Sequence, residues 1–196
     1  MEFRLFYRGP LKANGGKEHK HDIRRRFHPQ LKNLWGQSPL KDVFPVSLSQ
    51  NPESFQTSLQ VLGIQEPYRE VGGCKFFPLV RKDFFLIAQL EIILLRPEEP
   101  GAIITQSGDI DNRLKTLFDA LRMPKETTEL PSGYTPSGDE LPIFCCLLED
   151  DALITSVSVL TDRLLEPVDR ADEVILLVHT RLKATKQTWT NQAIIG

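Results

Sequence analysis

The run Asp109-Ile110-Asp111-Asn112-Arg113-Leu114-Lys115 is answered further along the chain by Glu149-Asp150-Asp151. Carboxylates and a lysine in this arrangement are the residue types of a divalent-metal site for phosphodiester cleavage. Two carboxylates about 4 Å apart repel by about 4 kcal/mol at an effective dielectric near 20, so a fold that converges them does so around a cation. Magnesium takes hard oxygen ligands and leaves positions open for water and substrate phosphate. Asp109, Asp111 and Asp151 are the carboxylates expected to converge, with Asp150 as a further metal ligand. Lys115, one helical turn beyond Asp111, would put an ammonium beside the scissile phosphate or leaving oxygen as negative charge builds there.

The elements that must position these groups follow from periodicity. Ile110, Leu114, Leu117, Phe118 and Leu121 recur at helical spacing, Asp109 is a good N-cap, and Asp111, Lys115 and Asp119 form a polar stripe beside the apolar one. Residues 2–8 alternate as a strand, followed by a basic loop with Gly9-Pro10 and Asn14-Gly15-Gly16. A helix is expected from Lys20, broken at Pro29 because His28 precedes a proline. Residues 36–73 are rich in Pro, Gly, Ser and Gln, with a short helix across 52–62. The apolar runs Cys74–Val80 and Phe84–Leu95, joined by Arg81-Lys82-Asp83, predict a hairpin. Residues 123–142 carry Pro124, Pro131, Gly133, Pro136, Gly138 and Pro142 and are expected to form a long surface loop or lid. Strands over Ile143–Leu148, Ala152–Thr161 and Glu173–Leu182 would deliver Asp150 and Asp151 and complete a mixed sheet. The fold class is α/β of the α+β type: one domain over 1–183 with a few helices, then a flexible tail over 184–196.

Composition bounds the function. A chain of 196 residues, 40% hydrophobic and 26% charged, describes one globular domain. Its longest apolar run is interrupted by Gln89 and Glu91 and is too short for a bilayer. The first residues lack the build of a secretory signal, and three cysteines, Cys74, Cys145 and Cys146, fit buried thiols better than a disulfide framework. A cytoplasmic protein is expected. The net charge is −2, yet residues 1–34 hold nine Lys or Arg against Glu2, Glu18 and Asp22, a local balance of +6 that leaves −8 for the rest. One segment meeting phosphates while another supplies metal carboxylates would give this asymmetry, as would a solvated helix face. Lys17, Lys20, Arg24, Arg25 and Arg26 are the candidate DNA-binding residues. His19, His21 and His28 lie in the same stretch, where phosphate contact or solvent exposure is expected; a His-x-His pair without a further ligand is a poor metal site. Trp189 is a candidate for base stacking, Trp35 for packing.

Taken singly, each feature has a structural explanation. Asp111 and Lys115 can be a helix ion pair worth a few tenths of a kcal/mol, Asp109 a cap, and Asp150-Asp151 a turn.

Their order carries more. Asp-x-Asp-Asn-x-x-Lys, then Leu117-Phe118-Asp119-Ala120-Leu121, and later Asp150-Asp151-Ala152-Leu153-Ile154, resembles the RusA-like family of Holliday-junction resolvases. The likeness is specific over 109–121 and 149–154 and architectural elsewhere. It implies a magnesium-dependent endonuclease (manganese as substitute) acting as a homodimer on branched DNA such as four-way junctions, in recombination and repair, of bacterial or prophage origin. It also implies that Asp109, Asp111 and Asp151 are the metal-binding aspartates and Lys115 the essential lysine. The longer segment before Asp150, the extra residues 36–73 and the overall acidity depart from a minimal member. Two other classes stay open: a non-catalytic nucleic-acid- or protein-binding module, and a metal-dependent phosphodiesterase of smaller substrates.

Overall fold

Burial alternates along Glu2–Pro10 (β1), Leu86–Arg96 (β4) and Glu173–Ala184 (β7), so each of these strands covers a core with one face only. With Ile154–Arg163 (β6) they form a mixed four-stranded sheet in the order β1-β7-β4-β6, parallel only between β4 and β6. Arg69–Val71 (β2), Cys74–Val80 (β3) and Phe144–Leu148 (β5) make a second sheet, β3 pairing antiparallel with β2 and parallel with β5. The computed structural model describes residues 1–43, 68–98, 110–170 and 172–195, which hold four α-helices: Lys17–Trp35 (α1), Leu40–Val43 (α2), Ile110–Leu121 (α3) and Trp189–Ile195 (α4). The expected α+β domain forms, with its strands divided between two mixed sheets where one was expected. Asp109 and the helix expected across 52–62 lie outside the described residues.

Two cores share the three-stranded sheet. Phe77, Leu79, Cys145 and Leu147 face the larger one, with Leu5, Leu90, Ile92, Leu176 and Val178 from the four-stranded sheet and Ile23, Phe27, Leu31 and Leu117 from the helices. Cys74, Phe76, Phe144 and Cys146 face a smaller one, closed by Val71, Met123 and Leu130. The three cysteines are buried and free. Because both faces of β3 are covered, its sequence is apolar at every position but Lys75, whereas β4 alternates. That difference explains why the expected hairpin is absent. The chain turns at Arg81–Phe85, where the Phe85 N–H donates to the Lys82 carbonyl (3.0 Å), and passes from one sheet into the other. Arg81, fully buried beneath the turn, pairs with Asp83 and lies over the Phe84 ring.

Three further expectations are corrected. The first helix runs unbroken through Pro29. An internal proline costs about 3 kcal/mol, but Ile23, Phe27, Leu31 and Trp35, four residues apart, are all buried on one face. At about 1.5–3 kcal/mol for each large apolar side chain, burial outweighs the proline. The segment 123–142 is irregular as expected, with 3-10 turns at Thr127–Glu129 and Gly138–Glu140, but it is no free lid, since Leu130 and Glu140 are buried. Residues 189–195, expected within a loose tail, are helical: Ile194 is buried, the Asn191 amide donates to the Phe84 carbonyl (2.9 Å), and the N-terminal ammonium of Met1 donates to the Ile195 carbonyl (2.9 Å).

Candidate active site

The acidic helix α3 begins at Ile110 and buries Arg113, Thr116, Leu117, Ala120 and Leu121. Its opposite side leaves Asp111 and Lys115 exposed. The second carboxylate pair enters from β5 through a 3-10 turn over Asp151–Leu153, against which α3 packs. Asp150 caps that turn, its Oδ1 accepting from the Ala152 N–H at 3.0 Å. This backbone donor, with Lys125 as a further cause, holds the Asp150 carboxyl far below the usual carboxylate range. Neither Asp111 nor Lys115 forms an ion pair with any described residue, so the expected helix pair between them does not form. Glu149 is structural, accepting from Arg69 Nη2 (3.1 Å) and the Lys82 N–H (2.9 Å).

Lys125 is the residue that sequence reading missed. Its Nζ lies 3.1 Å from Asp150 Oδ2 and 3.9 Å from Asp151 Oδ1. Its backbone N–H donates to Glu129 Oε2 (3.0 Å), and Glu129 is clamped by both terminal nitrogens of Arg122 at 2.7 and 3.1 Å. Arg122 reaches Asp119 Oδ1 at 3.2 Å, and Asp119 Oδ2 pairs with Lys20 Nζ at 2.7 Å. Alternating charges thus run from the start of α1 to the acidic turn. No spacing rule could reveal Lys125, because its partners lie on a separate turn reached only through the fold.

The basic segment divides. Lys17 and Lys20 line a cleft of about 180 Å³ with Gly15, Asp119, Arg122 and Glu129. Arg24, expected to contact DNA, is instead buried: Nε donates to the Arg122 carbonyl and Nη2 to the Asp119 carbonyl, both at 2.9 Å. Arg25 and Arg26 are exposed and line a separate cavity of about 500 Å³, where Arg25 Nε lies 2.7 Å from Glu140 Oε1. The histidines also depart from expectation. His28 is buried, with Nδ1 accepting from the Cys145 N–H (2.9 Å) and Nε2 2.8 Å from the Asp139 carbonyl oxygen. His21 is buried against Tyr134 and Phe144, and burial lowers its pKa to about 4. Trp35 packs on Phe77, and Trp189 is exposed.

The donor set suits a hard cation. Asp111, Asp150 and Asp151 offer only carboxylate oxygens, on a helix and a turn that abut, and Mg²⁺ needs no more than one or two carboxylates beside its waters and a phosphate. Among the described residues no group of three or more His, Cys, Asp or Glu side chains stands close enough to hold a metal ion, so Asp111, Asp150 and Asp151, expected to converge on one cation, do not form such a group. Comparison with family models, curated proteins and solved structures returned no match.

Proposed function

We propose that the chain is a RusA-like, metal-dependent endodeoxyribonuclease that hydrolyses phosphodiester bonds in branched DNA as a cytoplasmic homodimer. The supporting observation is the packing of α3, bearing Asp111 and Lys115 on its open side, against the turn bearing Asp150 and Asp151. Mg²⁺ or Mn²⁺, when bound, supplies the Lewis acid that acidifies a water and takes up phosphoryl charge. Asp111 and Asp151, with Asp109 and Asp150, hold the cation. Lys115 sets an ammonium beside the leaving oxygen. Lys17, at the cleft where Lys20 is already paired with Asp119, is the basic residue left to meet the phosphate backbone.

One observation favours a second reading, a binding module that has kept the fold: Lys125 already neutralises Asp150. Titration of Mn²⁺ into wild type and Asp111→Asn separates the two. The nuclease reading expects binding that the substitution weakens at least tenfold; no binding by the wild type favours the module. Salt-sensitive binding of long DNA distinguishes a nuclease from a hydrolase of small phosphoesters.

A further inference from the structure

The outer face of the four-stranded sheet carries an apolar row that crosses every strand in register. Phe6 on β1 pairs with Leu177 on β7, Leu177 with Ile93 on β4, and Ile93 with Leu160 on β6. The next row adds Ile175 and Leu95. Phe6, Ile93 and Leu160 are 50, 38 and 62% exposed, although the opposite face of the same sheet is core. Scattered exposed apolar residues need no explanation, but a contiguous patch of this kind marks an interaction surface.

We propose that this face pairs with the same face of a second copy, in an isologous sandwich whose two-fold axis runs along the apolar row. This face would be the joining surface of the homodimer in the proposed reading, on which it rests for the choice of a dimer; the apolar row itself stands apart from the chemistry of the site.

Three observations single out a second copy. The first is self-complementarity of charge. A two-fold along the row lays the row on itself and exchanges its flanks. One flank carries Arg8 against Glu166, Glu173 and Asp162; the other carries Arg4, Arg181 and Lys183 against Glu2 and Glu91. The acidic flank of each copy therefore meets the basic flank of the other. The second is that the strongest rim charges are satisfied within the chain: Glu2 reaches Arg181 at 2.6 Å and His179 at 3.2 Å, and Arg8 reaches Glu166 and Glu173 at 2.9 Å each. None of these rim charges is then left without a partner at the edge of the closed faces. The third is size. Four strands about 4.8 Å apart and some nine residues long at about 3.4 Å each give a flat footprint of roughly 600 Å². Side-chain relief brings that toward the ~800 Å² per partner of a standard interface. The same rotation sets the strands of the two sheets nearly antiparallel, as in aligned sheet packing.

Pairing through the edge of β1 is disfavoured by contrast. Gln30 covers that edge, its Oε1 accepting from the Phe6 N–H (2.9 Å) and its Nε2 donating to the Phe6 carbonyl (2.7 Å).

Sedimentation equilibrium of the full chain tests the inference, with Leu160→Lys and Ile93→Lys chosen because both side chains already reach solvent. The wild type is expected at twice the 22.3 kDa chain mass and both variants at the single mass, with unchanged far-ultraviolet circular dichroism. An Ile93→Cys variant treated with a short bis-maleimide tests the axis independently of those folds. Ile93 lies on the axis and the native cysteines are buried, so a covalent dimer is expected from Ile93→Cys and none from Lys183→Cys. A monomeric wild type, variants that stay dimeric, or linkage through position 183 and not 93 would each overturn the proposal. None of these readouts depends on DNA cleavage, so a failed nuclease assay leaves them standing.

Discussion

Lys125 occupies the place that a divalent cation would contest. Its ammonium bridges Asp150 and Asp151 at 3.1 and 3.9 Å but is itself half-exposed, so the pair is worth no more than about 1 kcal/mol. A metal entering the site must displace it. Lys125→Gln is therefore expected to tighten Mn²⁺ binding by up to about fivefold in calorimetric titration; weaker binding would mean that Lys125 instead orients the carboxylates. Lys115 differs in having no carboxylate partner among the described residues, and its charge stays available to substrate. Lys115→Met is expected to leave Mn²⁺ affinity within about twofold while lowering the cleavage rate at least a hundredfold. Equal losses in both would place Lys115 in metal binding, not in charge stabilisation.

The α1–α3 contact positions the basic cleft, and it depends on a close approach at Gly15. Its N–H donates to Thr116 Oγ1 at 3.0 Å, and a Cβ there would lie 2.5 Å from His19 Cδ2 and 2.8 Å from Thr116 Cγ2. Gly15→Ala is expected to lower stability by about 1–3 kcal/mol in urea unfolding, by overpacking. The contact of α1 with the 138–140 turn and β5 is expected to weaken on acidification. Burial lowers the pKa of both His21, to about 4, and His28. The unfolded chain therefore binds more protons than the folded one between pH 6.5 and about 4, and stability falls on acidification through that window. The slope is at most about 1.4 kcal/mol per pH unit for each histidine. Unfolding curves at pH 7 and pH 5 should show the loss, and His21→Phe, which keeps the ring packing, should reduce it. These elements also show what the sequence made legible. Helix α3 could be placed from its apolar period, and every β-strand but the short β2 from alternation or continuous apolar runs. The sheet to which β3 belongs, the passage of α1 through Pro29 and the seating of α4 could not, because each is decided by burial against residues distant in the chain. At the site, Asp111, Asp150 and Asp151 stood out by local order, while Lys125 and the burial of Arg24 depend on contacts that span loops.

At the scale of the molecule, the nuclease reading requires an acidic chain to bring DNA phosphate to carboxylates. Arg24 is buried, and Arg8 and Arg25 are engaged by glutamates, so much of the basic balance of the first residues is consumed internally. Lys17 at the cleft remains for phosphate contact. Lys17→Ala should weaken binding alike for all DNA sequences and reduce the slope of log affinity against log salt by about one. The proposed homodimer would double this modest charge and offer two equivalent sites to a two-fold junction. The most direct test of the nuclease account is cleavage of a labelled four-way junction beside a matched linear duplex, with and without Mg²⁺, by wild type and Asp111→Asn. The account predicts paired, symmetric, metal-dependent nicks in the junction that Asp111→Asn abolishes. Intact junction bound by wild type in the presence of Mg²⁺ would contradict it.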